Sequence, residues 1–189
     1  VGLRQEEHAA FFQTVERQGR WLAELVEDGR LPPDTHLAIS CVGAIPYYSD
    51  LQVLDRLGLT DRVVARSQAR ETDWKIMAHQ KSADREYVAR AGVDFWSFDI
   101  VHPILPAGHP ALECAAILMT RKGIATLSAD LGDGRYLLVQ PIRPAKEIAT
   151  RFRGLNLLPA STFDGNALDS HSRFTPVRRE AQLGPPYDA

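Results

Sequence analysis

One stretch, HLAISCVGAIPYYSDLQVLDRLGLTD at residues 36–61, decides the fold of this chain. Residues 36–42 form a short apolar run typical of a buried strand, and we expect Gly43 to let the backbone turn sharply behind it. Pro46 suits the first turn of a short helix, because the N–H that proline lacks has no helical partner there. Residues 51–54 form a second apolar run. Strand, helix and strand in this order predict two parallel strands joined by a crossover helix.

A long amphipathic helix is predicted before this stretch, at residues 4–28. Asp28 and Gly29 end the helix, and the two prolines at 32 and 33 prevent its continuation. Six apolar residues recur at helical spacing and are expected to pack on the core: Phe11, Phe12, Val15, Leu22, Leu25 and Val26.

Helices and strands also alternate after this stretch. Residues 61–67 and 83–90 are predicted to be helical, and residues 93–101 to form a strand. Residues 111–120 are apolar but ambiguous in type, and we predict a strand because they lead into a turn at Lys122 and Gly123.

The second half of the chain differs in pattern from the first. Residues 124–127 and 135–142 flank SADLGDG and predict a hairpin, followed by a short helix at residues 144–152. The fold class is therefore α/β: a three-layer-like mixed sheet, with a parallel βαβ first half and an antiparallel hairpin supplement in the second half. We expect a single domain over residues 1–158 and an irregular C-terminal extension over residues 159–189.

Composition limits the classes of function. The chain has 189 residues, of which 44% are apolar and 24% charged, and its net charge is −2. These values are typical of a globular domain and give no overall field that would attract nucleic acid. The longest apolar run, residues 114–119, is far shorter than the ~20 residues of a membrane-spanning helix. Because the chain begins at Val1, we expect it to be a piece of a longer protein. Because residues 1–30 are charged throughout, we do not expect them to form a signal peptide.

Several common sites are not indicated. The glycines of a dinucleotide-binding loop do not follow Gly43, and no G-x-S-x-G hydrolase motif is present. His102 and His109 could meet across a proline-rich loop and bind a metal with Asp99, although an ordinary surface loop is favoured. We therefore expect no metal and no cofactor.

The two cysteines, Cys41 and Cys114, lie in apolar runs and are expected to be buried thiols. A disulfide between them stays open, because it would require an oxidising compartment and facing strands.

The segment AHQKSADREYV, residues 78–88, has a more informative pattern. His79 and Lys81 precede a helix whose N-cap is expected to be Ser82 or Asp84. A cation and an imidazole beside free amides can bind an anion or sugar hydroxyls. The alternative is that these residues only cap the helix.

Three segments, VGAIPYYSDLQVLDRLGLTD, AHQKSADREYV and GVDFW, follow one another within residues 36–101. Together they resemble a signature of bacterial membrane glycosyltransferases of the GT-C type, found in the C-terminal region of arabinofuranosyltransferase-like proteins. The chain departs from that signature at Cys41 and Val42, which replace a small pair, and at Ala78, which replaces a common glycine.

The resemblance implies a parent enzyme of the cell wall that transfers a sugar from a polyprenyl-phosphate donor to a glycan acceptor. Its catalytic carboxylate would lie between transmembrane helices that this chain does not contain, so no catalytic residue is assigned here. The chain would be a non-catalytic accessory domain at the extracytoplasmic (periplasmic) face of the membrane. Its expected partners are the membrane-embedded part of the parent chain and the glycan acceptor. The alternative is a self-standing cytoplasmic α/β enzyme or small-ligand-binding protein.

Aromatic rings suit stacking on sugars, and carboxylates, imidazoles and amines suit binding of hydroxyls. The candidate substrate-binding residues are accordingly Tyr47, Tyr48, Asp55, Asp61, His79 and Lys81. In the structural alternative, the two tyrosines pack the turn, and the two acids cap and brace residues 56–60.

Overall fold

The computed structural model describes residues 5–68, 81–97, 102–112, 114–115, 117 and 125–160. The elements follow in the order α1 (Gln5–Glu27), β1 (His36–Ile39), α2 (Ala44–Ser49), β2 (Gln52–Asp55), α3 (Arg62–Arg66), α4 (Arg85–Arg90), β3 (Phe95–Ser97), β4 (Ile104–Pro106), β5 (Leu127–Asp130), β6 (Arg135–Pro141), α5 (Ala145–Arg151) and β7 (Leu158–Pro159). Residues 110–112, 114–115 and 117 are also helical, and we call them the Leu112 segment.

The seven strands form one mixed sheet in the order β2-β1-β3-β6-β5-β7, with β4 also paired to β6. β1 runs parallel to both β2 and β3, so that Leu37 lies between Val53 and Phe95. This confirms the parallel βαβ first half. β6 is antiparallel to β3, β4 and β5, which confirms the antiparallel hairpin supplement.

Helices cover both faces of the sheet, because successive side chains of a strand point to opposite faces. On the first face, Leu37, Ile39 and Phe95 pack with α1, α2 and α5. On the second face, Ala38 and Leu54 pack with α3 and α4. The helices thus form two outer layers around the sheet, as the predicted fold class requires.

The first half of α1 extends beyond the core. Residues 5–13 are all exposed, and the buried residues of the helix begin at Val15. The prediction that Phe11 and Phe12 pack in the core is therefore wrong, since their side chains are 47% and 54% exposed. Helical spacing identified the correct face of α1 but not the point at which the helix leaves the domain.

The prediction of a strand at residues 111–120 is wrong for those of its residues that the structure describes. Leu112 and Ala115 are buried three residues apart, as on one face of a helix, and they pack against Leu105 and Leu138 of the sheet. Cys114 is consequently exposed, and no disulfide joins it to the half-buried Cys41. The apolar run was compatible with either element, and packing on the second face of the sheet decides for the helix.

A buried amide joins α1 to the edge of the sheet. The Gln18 side chain is buried; its Nε2 donates to the Ile104 carbonyl at 2.8 Å, and its Oε1 accepts from the Ile104 N–H at 2.9 Å. The backbone of Pro103, one residue earlier, bonds to Leu138 of β6, so the polar groups of Ile104 face the other way. Gln18 therefore supplies the hydrogen bonds that a further strand would make.

A charge cluster ties the amino ends of β1 and β3 to α5. The Asp94 carboxylate is fully buried and accepts from the His36 N–H at 2.9 Å. Its other oxygen lies 2.6 Å from Arg143 Nε and 3.3 Å from Arg151 Nε. Arg143 Nη2 also donates to the Gly92 carbonyl at 2.7 Å. Two cations thus compensate one buried anion, as a carboxylate removed from water requires.

We predict that Gln18→Met lowers the free energy of unfolding by about 2–4 kcal/mol, because Ile104 keeps two buried polar groups without partners. Chemical denaturation of the purified chain measures this value. Gln13→Met, at an exposed position of the same helix, is the matched control and should change stability by less than about 0.5 kcal/mol. Equal stability of the two variants would contradict the role of Gln18.

We predict that stability decreases as the pH falls below 6.5 and that His36 contributes to this decrease. Burial lowers the pKa of His36 below its usual value of 6.5, Asp94 partly opposes this, and Arg143 adds to the lowering. The unfolded chain then binds the proton more readily than the folded chain, so stability is complete above pH 6.5 and is lost below it.

Urea denaturation at pH 7.5 and 5.5 tests this prediction. The loss of unfolding free energy between the two pH values should be smaller in His36→Gln than in the original chain. His8→Gln, at an exposed position of α1, should keep the original loss. The same loss in all three proteins would contradict the prediction.

Candidate functional site

The Asp55 carboxylate, at the carboxyl end of β2, organises the turn that follows it. Oδ1 accepts from the N–H groups of Leu57 and Gly58 at 2.9 and 3.0 Å. Oδ2 accepts from the Thr60 N–H at 2.6 Å and from its hydroxyl at 3.2 Å. With four hydrogen bonds and an exposure of 2%, Asp55 braces residues 56–60 as the structural alternative predicts.

The second acid of the motif, Asp61, begins α3. Its Oδ1 accepts from the N–H groups of Val63 and Val64, both at 2.9 Å, which satisfies the first turn of that helix. Its Oδ2 accepts from the Tyr87 hydroxyl of α4 at 2.8 Å. This hydrogen bond and partial burial raise the pKa of Tyr87 above its usual value. Asp61 therefore joins α3 to α4.

Lys81 lies beside the same helix. Its ammonium group donates to the carbonyl of Ala65, near the carboxyl end of α3, where a cation is favoured. Asp84 is the N-cap residue of α4, one of the two predicted, but its side chain makes no capping hydrogen bond. His79 lies outside the described residues.

The tyrosines belong to α2, on the first face of the sheet. The side chain of Tyr47 is 81% exposed, and its ring meets that of Tyr48 edge to face with centroids 5.0 Å apart. The guanidinium of Arg20 lies 4.5 Å from the centroid of the Tyr48 ring and forms a 2.7 Å ion pair with Glu16. Stacking between α1 and α2 thus holds Tyr48, and Tyr48 supports the exposed ring of Tyr47.

Gly19 allows this arrangement because α1 and α2 approach each other closely there. A Cβ at Gly19 would lie 2.8 Å from the Tyr48 Cβ and 2.9 Å from the Ile45 carbonyl oxygen. The role expected for Gly43 is not supported. Its φ of −85° lies outside the left-handed region that favours glycine, and a Cβ there would meet nothing within 4 Å. Sequence reasoning missed both Gly19 and Arg20, since nothing near them in the chain points to α2.

The five predicted residues that the structure describes therefore do not form one group. Asp55, Asp61 and Lys81 surround α3, whereas Tyr47 and Tyr48 lie on α2 next to α1. Their assignment as sugar ligands stays a prediction, and among the five described residues only Tyr47 has a largely exposed ring available for it.

The histidine pair considered for a metal does come together. The rings of His102 and His109 lie with centroids 6.0 Å apart, and His109 Nδ1 accepts from the Ala111 N–H at 3.2 Å. Asp99 lies outside the described residues. Within the described part of the chain, no three histidine, cysteine or acidic side chains are grouped as metal ligands.

A family model described as "Domain of unknown function (DUF8728)" matches residues 4–140. No curated protein and no solved structure matches the chain. No helix among the described residues has the length and apolar character needed to span a bilayer.

We predict that Asp55→Asn lowers the free energy of unfolding by about 2–4 kcal/mol. The carboxylate now accepts hydrogen bonds at both oxygens, whereas the NH₂ group of asparagine can only donate and would face other donors. Thermal and chemical denaturation measure this effect. Asp50→Asn is the control: Asp50 is exposed with φ of 55°, a conformation that asparagine adopts readily. A stable Asp55→Asn variant would show that the turn does not depend on the carboxylate.

Proposed function

The chain belongs to the family described as domain of unknown function DUF8728, and we propose that it is a non-catalytic accessory domain of a polytopic membrane glycosyltransferase. The parent enzyme would use a polyprenyl-phosphate sugar donor, and this domain would contact the acceptor glycan at the extracytoplasmic face. The matched residues 4–140 include all three segments on which the resemblance to GT-C enzymes rests.

The observation that carries the glycan contact is the exposed ring of Tyr47. A tyrosine that is 81% exposed leaves the apolar surface of its ring in water. The free-energy cost of this exposure is reduced when the C–H groups of a sugar stack on the ring. The ring is also supported, since Tyr48 meets it at 89° and Arg20 stacks on Tyr48. A ring held in place loses less conformational entropy on binding than a freely rotating one.

Polar groups for sugar hydroxyls stand next to the Tyr48 ring that supports Tyr47. The side chain of Arg20 is 60% exposed, and that of its ion-pair partner Glu16 is 27% exposed. A guanidinium donates and a carboxylate accepts hydrogen bonds, so the pair can bind neighbouring hydroxyls of one sugar. The tyrosines with Arg20 and Glu16 form what we call the tyrosine platform.

The contacts of the two motif acids support a non-catalytic role. Asp55 is 2% exposed and accepts four hydrogen bonds from its own turn, so a substrate has no access to its oxygens. Asp61 is bonded to α3 and to Tyr87. General acids and bases have to reach the proton that they transfer, and both carboxylates are instead engaged in hydrogen bonds within the domain.

We predict that Tyr47→Ala lowers the affinity for arabinan or mannan fragments about tenfold, with little change in melting temperature. Isothermal titration of the purified chain with each fragment measures the affinity. Tyr47→Trp should retain binding, because it keeps an aromatic face. Phe12→Ala removes an exposed ring outside the tyrosine platform and is the matched control.

Two results would contradict the proposal in different parts. If neither fragment binds, or if Tyr47→Ala binds as well as the original chain, the glycan contact is wrong. If the purified chain alone turns over a small-molecule substrate, the non-catalytic role is wrong and the self-standing enzyme becomes the better interpretation.

A further inference from the structure

Exposed aliphatic side chains are concentrated around α3. Leu59 and Val63 are 67% and 56% exposed, more than any other large aliphatic residue in the described part of the chain. Gly58 fixes Leu59 next to this helix, because a Cβ at Gly58 would lie 2.7 Å from the Ala65 nitrogen. The turn braced by Asp55 therefore presents apolar surface to solvent.

Three cations lie on or beside the same helix. Arg62 and Arg66 are exposed on α3, and the ammonium group of Lys81 lies at the Ala65 carbonyl. The one acid within residues 59–66 is Asp61, whose carboxylate is directed to the N–H groups of α3 and to Tyr87. We call Leu59, Arg62, Val63, Arg66 and Lys81 the α3 surface; it combines three positive charges with two exposed apolar groups.

We propose that the α3 surface docks on a lipid bilayer that contains anionic headgroups. Leucine and valine gain by entering the boundary between headgroups and acyl chains, while arginine and lysine keep their charges at the headgroup phosphates. Nucleic acid fits less well, because its phosphates offer nothing to Leu59 and Val63, and the chain as a whole carries a charge of −2.

This inference rests on the membrane location in the proposed function but not on the tyrosine platform. The α3 surface lies on the second face of the sheet, and α2 with Tyr47 lies on the first. Lipid contact and glycan contact can therefore be tested, and can fail, independently of each other.

Co-sedimentation of the full chain with vesicles tests the proposal. The partition coefficient should be higher for phosphatidylcholine vesicles that contain phosphatidylglycerol than for pure phosphatidylcholine, and should fall with salt. The double variant Arg62→Gln/Arg66→Gln should lower it about 25-fold, at roughly fivefold for each charge. Leu59→Ser/Val63→Ser should lower it about tenfold or more.

Matched controls separate the α3 surface from net charge and from exposed apolar area in general. Lys146→Gln/Arg153→Gln removes the same charge on and just after α5, on the first face of the sheet, and Phe11→Ser/Phe12→Ser removes two other exposed apolar side chains. Both controls should bind vesicles nearly as well as the original chain. Melting temperatures identify any variant that fails to fold, and the single variants Arg66→Gln and Val63→Ser then replace it.

Three results would overturn the inference. The first is vesicle binding that does not increase with phosphatidylglycerol, and the second is an equal loss of vesicle binding in the α3 variants and the control variants. The third is a chain that binds a membrane protein in detergent but does not bind protein-free vesicles. Glycan titration of the same α3 variants distinguishes the two proposals. If the α3 variants keep their glycan affinity but lose vesicle binding, the lipid-binding role of the α3 surface is supported. If vesicle binding is unchanged in these variants, that role is refuted, whatever the glycan titration gives.

Discussion

Two consecutive residues of α1 hold the outer parts of the structure together. Gln18 directs its amide to the backbone of Ile104 in the sheet, and Gly19 lets α2 approach within van der Waals contact on another side of the helix. Because buried backbone groups must be paired and a Cβ cannot share the space of another atom, both contacts leave little choice of residue. The position of α2, and with it the tyrosine platform, depends on Gly19.

The sheet combines parallel and antiparallel strand pairing, and a buried carboxylate lies at each end of its parallel strands. At the amino ends of β1 and β3, Asp94 binds the backbone of His36 and two arginines, Arg143 just before α5 and Arg151 at its end. At the carboxyl end of β2, Asp55 turns the chain towards α3. Ligands of open α/β sheets often bind beyond the carboxyl ends of strands, but here an internal carboxylate fills that place. The exposed surfaces therefore lie on the outer helices.

The two proposed contacts follow from which side chains the helices leave in water. α2 presents an aromatic ring supported by a second ring, a surface suited to sugars. α3 and the turn before it present two exposed aliphatic groups together with cations, a surface suited to the headgroup region of a bilayer. A domain with both would lie against the membrane on one face and meet a glycan on the other. Such an arrangement positions an acceptor without requiring a reactive group in the domain itself.

The sequence by itself determined the features that local chemistry controls. Proline in the first turn of α2, an acid at the start of α3, helical spacing in α1 and the order of elements were all sufficient to predict the α/β class and the parallel first half. The bracing role of Asp55 was also foreseen as one of two alternatives, because an acid beside turn residues accepts from the nearest N–H groups.

Only the tertiary structure decided where each element is buried and which side chains meet. It placed Phe11 and Phe12 in solvent, made the Leu112 segment helical, and separated the tyrosines from the acids. It also paired Gln18 with a residue 86 positions away. The physical reason is that propensity and capping act over a few neighbouring residues. Burial and long-range hydrogen bonds, in contrast, depend on partners that come together only when the whole sheet has formed.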